Sequence, residues 1–141
     1  MSDDSPLPDW GAAHAPSLAQ IERMAETAFV QLPEDFRRLC GGLIIHVVDF
    51  PDDETLEEMN AASEFELLGL FRGQGLAYSA AVPETGAQPN MIWLYRRPLL
   101  DFWCEGEDTL GAVVTHVLVH EIGHHFGLSD DDIEAIEAGT A

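Results

Sequence analysis

Eleven residues near the C-terminus constrain the fold more than any other stretch: His120-Glu121-Ile122-Gly123-His124-His125-Phe126-Gly127-Leu128-Ser129-Asp130. Val113, Val114, Val117, Leu118, Ile122 and Phe126 recur at helical spacing through and before this stretch. It therefore reads as an amphipathic helix, with Glu107 and Asp108 placing negative charge at its start. On such a helix His120 and His124 stand one turn apart on one face. Both imidazoles can then reach one zinc ion at about 2.0–2.1 Å. Gly127 stops the helix, and the turn it permits can swing Asp130 back toward the same ion. Spacing favours Asp130 as the third donor over Asp131 and Asp132, which also suit the first turn of a following helix. Two neutral imidazoles and one carboxylate leave a fourth position open for water, the pattern of catalytic zinc and not of structural zinc. Glu121, beside the first ligand, lies within reach of that water as a general base. At this chain's composition the extended pattern arises by chance in only about 0.02% of sequences.

The rest of the chain reads as one small domain. With 141 residues there is room for a single core. Residues 1–15, with their prolines and acids, read as a flexible N-terminal arm, and 16–141 as the domain. Ser17 caps a helix whose apolar face is Leu18, Ile21, Met24, Ala25 and Ala28. A second helical piece runs from Pro33 through Phe36 and Leu39 to the Gly41-Gly42 stop. Leu43–Val48 is a continuous, β-branched run that reads as a buried strand, and Met91–Tyr95 as a second strand. Between them, Asp52–Ala62 is an acidic loop or exposed helix. Leu67–Phe71 is apolar but broken by glycines at 69, 73 and 75, which leaves its class open. Pro83–Pro89 reads as a turn-rich loop, and Leu99–Cys104 as a short helical turn. Ser129 can cap a last helix through Ile133 and Ile136.

Charge narrows the function classes. Acids number 26 against 6 bases, a net charge of −20, and every base is an arginine. Such a surface repels phosphate backbones and anionic lipid, so nucleic-acid and membrane binding through a basic patch are excluded. It favours a basic or unfolded peptide or protein as substrate. No apolar run approaches the length of a spanning helix, and the acidic start is unlike a secretory signal. Two cysteines make no disulfide framework, so Cys40 and Cys104 are expected as reduced, buried thiols in the cytoplasm. His116, one turn before His120, and Tyr95 are candidates for the wall of a cleft, and His116, Tyr95 or an arginine for assisting an oxyanion. Met91–Tyr95 is a candidate edge strand on which an extended peptide pairs. His125, about 100° from His124, is expected to pack or to donate to a carbonyl. His46 is expected as a satisfied core or edge histidine, and Trp93 and Trp103 as core or rim aromatics.

HEIGHHFGLSD resembles the Asp-type zincin signature, His-Glu-x-x-His-x-x-Gly-x-x-Asp. The chain is similar to a small bacterial metallopeptidase-like family with a minimal zincin fold, loosely over residues 30–137 and specifically over 113–132. Supporting stretches are LLGLFRG at 67–73 and PNMIWLYRRPL at 89–99. The resemblance implies an α+β fold, a small mixed β-sheet packed against helices that include the HExxH helix. It implies zinc bound by His120, His124 and Asp130, with Glu121 as general base in peptide hydrolysis. Larger zincins of this type carry a methionine turn after the third ligand. Here the methionines at 1, 24, 59 and 91 all precede it. A full lower subdomain is therefore not expected, and a protein partner would complete the cleft. The competing expectation is a non-catalytic zinc-binding regulatory or interaction module whose acidic surface docks a basic partner. The remaining one is an acidic protein that mimics nucleic-acid charge.

Overall fold

The computed structural model describes residues 9–73 and 89–139. Residues 1–8 of the arm and all but the last residue of the Pro83–Pro89 segment lie outside the described residues. A capping box starts the first long helix. The Ser17 hydroxyl accepts from the Gln20 N–H, and the Gln20 side chain accepts from the Ser17 N–H. Two donors that a helix N-terminus leaves over are thereby satisfied. Helix α1 (Leu18–Val30) buries Ile21, Ala25 and Ala28 as its spacing predicts. Helix α2 (Glu34–Cys40) follows Pro33 and ends at Gly41.

Strands β1 (Ile44–Val48), β2 (Gly69–Arg72) and β3 (Met91–Tyr95) form one mixed sheet. Its order is β1-β3-β2, with β1 parallel and β2 antiparallel to β3. Two expectations change here. Strand β3 lies at the centre with both sides paired, so it offers no edge to a peptide. Among the described residues strand β1 is an edge strand, and it is only half-buried. The glycine-broken stretch supplies β2, the other edge among the described residues. Helix α3 (Asp53–Glu58), capped by Asp52, fills the acidic segment between β1 and β2.

Helix α4 (Arg96–Glu105) is longer than the single turn predicted at Leu99–Cys104. Helix α5 (Leu110–His125), capped by Thr109, carries the motif. Helix α6 (Asp130–Gly139) begins at Ser129, whose hydroxyl accepts from the Asp132 N–H. The core lies on one face of the sheet. Val114, Leu118, Val119 and Ile122 of α5 are fully buried against Ile92 and Leu94 of β3, Ile21 and Ala25 of α1, and Leu99 of α4. Each such aliphatic side chain contributes about 1.5–3 kcal/mol by leaving water. The motif helix is thus the best-anchored element of an α+β domain, a small mixed sheet packed against helices. No helix among the described residues is long and apolar enough to cross a membrane. Cys40 is buried as expected, but Cys104, near the end of α4, is exposed.

Candidate metal centre

Three histidines run along one face of α5 at four-residue intervals. The ring centroids of His116 and His120 are 5.3 Å apart, and those of His120 and His124 are 4.2 Å apart. This is the stacking that one helical turn produces. The helix then ends in a Schellman motif. Gly127 takes φ +79°, the Leu128 N–H donates to the Gly123 carbonyl at 2.9 Å, and the Gly127 N–H donates to the His124 carbonyl at 3.1 Å. A left-handed residue here favours glycine. The chain reverses, and α6 returns along α5.

How closely α6 returns is set by Gly123. A Cβ at this position would meet Ile133 Cγ1 at 2.7 Å. Ile133 is buried, and it docks α6 onto the glycine side of the motif helix. Asp130 is thereby brought to the histidine face, where its Oδ1 accepts from His124 Nε2 at 2.9 Å. Its neighbours face other partners: the Asp132 carboxylate accepts from the Ser129 N–H at 3.4 Å, and Asp131 is exposed.

Among the described residues, no three His, Cys, Asp or Glu side chains are gathered closely enough to hold a metal ion as they stand. The donor set nevertheless fits zinc in kind, with two imidazoles one turn apart and a carboxylate on the second of them. Tetrahedral zinc separates its donors by about 3.3–3.5 Å, from bond lengths near 2.0–2.2 Å. Replacing the 2.9 Å hydrogen bond by an ion therefore needs an opening of roughly half an ångström. Both side chains have the freedom for it, His124 being 49% and Asp130 83% exposed. Partial burial and the neighbouring His124 and His116 rings hold the His120 pKa below its ordinary value, which favours the neutral, ligating form. Burial pushes the Glu121 carboxyl above the usual range, with His124 opposing.

His116 donates its Nδ1–H to Glu137 Oε1 at 2.6 Å. Glu137 escapes a reading of the motif alone. It lies seven residues after Asp130, so one face of α6 presents both carboxylates, and that spacing was the available signal. Gly123 was equally visible in the motif, but its contact with Ile133 is not local. Tyr95 is not brought to this site. Ile92 and Leu94 face the core, so alternation turns Met91, Trp93 and Tyr95 to the opposite face of the sheet. There His46 stacks on Trp93 at 4.2 Å, and Tyr95 lines a separate cavity with Asp52 and Arg72. His125 packs on Phe71 of β2, with centroids 4.3 Å apart.

A family profile described as zincin-like metallopeptidase matches residues 40–140. Among solved structures, a conserved hypothetical protein from Thermus thermophilus is similar. The match covers 77% of this chain and 92% of that one, at 22% identity and a TM-score of 0.50, a likeness of fold. No curated protein matches the chain.

Proposed function

Because the chain belongs to the zincin-like metallopeptidase family, we propose that it is a zinc-dependent peptidase in which His120, His124 and Asp130 hold the metal and Glu121 is the general base. The observation that carries this reading is the His124–Asp130 contact, which joins the third donor to the two-histidine face across the Gly127 turn. A zinc ion held there supplies Lewis acidity, lowering the pKa of water toward about 7 and polarising a carbonyl. Glu121 accepts the proton released as water attacks the peptide carbonyl, and delivers it to the leaving amine. Its half-buried position supports this role, since a carboxyl raised above the ordinary range both takes and returns a proton more readily near neutrality. The strand available for pairing with an extended substrate is β2. It is an edge strand among the described residues, and its Phe71 touches His125 of the motif helix.

The net charge of −20 favours basic or unfolded substrates. The cytoplasm is the compartment that suits two free thiols. A protein partner that supplies the wall opposite β2 belongs to the same reading.

The test is zinc content by mass spectrometry together with hydrolysis of a basic, unfolded protein. Wild type is expected to hold one zinc and cleave. Glu121→Gln is expected to keep the zinc and lose about 10²–10⁴-fold in rate. His124→Ala is expected to lose the metal. Equal activity in the Glu121→Gln variant would remove Glu121 from the chemistry. Stoichiometric zinc without any hydrolysis would favour the non-catalytic binding module.

A further inference from the structure

A cavity of about 560 Å³ adjoins the histidine row at its His116 end. That volume lies within the range of about 300–1,000 Å³ typical of ligand sites. Four helices build it. Ala28 of α1 and Ala112 of α5 form small-residue walls, and Phe102 of α4 lines it although 47% exposed. Two carboxylates, Asp108 and Glu137, lie on the same lining, and no arginine does. Glu137 is held in place by the hydrogen bond from His116. We propose that this cavity receives the cationic side chain, arginine or lysine, of a peptide substrate. The identity of the occupant as part of a substrate rests on the peptidase reading above.

The chemistry of the lining matches that occupant part by part. Apolar walls suit the methylene stem of a long basic side chain, and an aromatic face suits its guanidinium or ammonium. The two carboxylates suit the charge. The cavity also continues into a second groove of about 510 Å³ along α1 and α5, and the far groove is lined by Arg23. Glu137 lies beside His116, Asp108 precedes α5 at the other end of the lining, and Arg23 stands in the second groove, so the negative charge next to the metal centre is that of Glu137. The His116 ring lies 5.3 Å from that of His120.

The test is binding, measured with the full-length, zinc-loaded Glu121→Gln variant so that no probe is consumed. The probes are a labelled alanine-based heptapeptide with one central arginine and its citrulline counterpart, which keeps the shape and removes the charge. By fluorescence anisotropy the arginine peptide is expected to bind at least about fivefold tighter. Asp108→Asn combined with Glu137→Gln is expected to bring that ratio to about one. If the double variant does not fold, Asp108→Asn alone must lower the ratio at least about twofold. Equal affinities, a preference that survives the substitutions, or no binding of the arginine peptide at about 1 mM overturns the proposal. A preference that stands while the wild type cleaves neither peptide keeps the site and removes the peptidase reading.

Discussion

His124 and His125 are adjacent in the chain and have different surroundings. One helical step of about 100° puts His124 on the face that meets Asp130 and turns His125 onto Phe71. That difference was legible in the sequence, because it depends only on the period of one helix. The two cysteines were less legible, since burial depends on what packs from elsewhere. Cys40, the last residue of α2 and part of the core, is 1% exposed, and burial pushes its pKa from the ordinary 9.0 to about 11. Cys104 is open to solvent. A thiol reagent at pH 8 is therefore expected to react with one thiol in the native protein and with both in denaturant. Between pH 9 and 11 the unfolded chain releases a Cys40 proton that the folded chain retains, so stability falls as pH rises through that window. The loss is about 2–3 kcal/mol at most. Urea midpoints across this window are expected to decline less steeply in Cys40→Ala than in wild type. Two thiols reacting at native rates would contradict the burial.

Helices α1, α5 and α6 were readable from local signals because each signal sits within a few residues of what it governs: Ser17 before α1, Glu107 and Asp108 before α5, Gly127 after it and Ser129 before α6. The sheet was not. Strand β2 is four residues long and opens with a glycine, so alternation has little room to show, and no local pattern states that β3 lies between β1 and β2. That is why Tyr95 was a reasonable cleft residue in the sequence and lies on the far face of the sheet in the fold. The docking of α6 on α5 is likewise a contact between elements, and Gly123 is its pivot. In Gly123→Ala two effects compete. Helix propensity improves by about 0.8–1.0 kcal/mol. The new methyl carbon lies 2.7 Å from Ile133 Cγ1, in a packed site where an extra carbon costs about 1–3 kcal/mol. Overpacking is the larger effect, so a net loss of up to about 2 kcal/mol is expected by urea denaturation. Zinc affinity, measured against a competing chelator, is expected to fall with it, because Asp130 is displaced along with α6. A stabilised variant with unchanged zinc affinity would show that the close approach of α6 has no part in forming the site.

At the scale of the whole molecule the dominant quantity is a net charge of −20 on 141 residues. Three of the six arginines are engaged in ion pairs. Arg38 pairs with Glu34 at 2.9 Å, Arg72 with Glu58 at 2.6 Å and Arg96 with Asp49 at 3.0 Å. Exposed pairs of this kind contribute about 0.2–1 kcal/mol each. The repulsion among the remaining acids acts over longer distances. A chain of this length has a radius of gyration of about 14 Å. At 0.01 M salt the screening length is about 30 Å, so nearly every acid senses every other, whereas at 1 M it is about 3 Å and only contacts survive. Added sodium chloride therefore weakens both the few attractions and the many repulsions, and the repulsions are the larger sum. The thermal midpoint is expected to rise between 0.01 and 1 M sodium chloride by a few degrees, the shift that about 1 kcal/mol produces in a domain of this size. Over the same range, cleavage of a basic substrate is expected to slow while cleavage of a neutral one holds, since screening removes the long-range attraction that favours cationic chains. A midpoint that falls with salt would mean that the ion pairs outweigh the net charge. The electrostatic case for a basic substrate would then lose its physical ground.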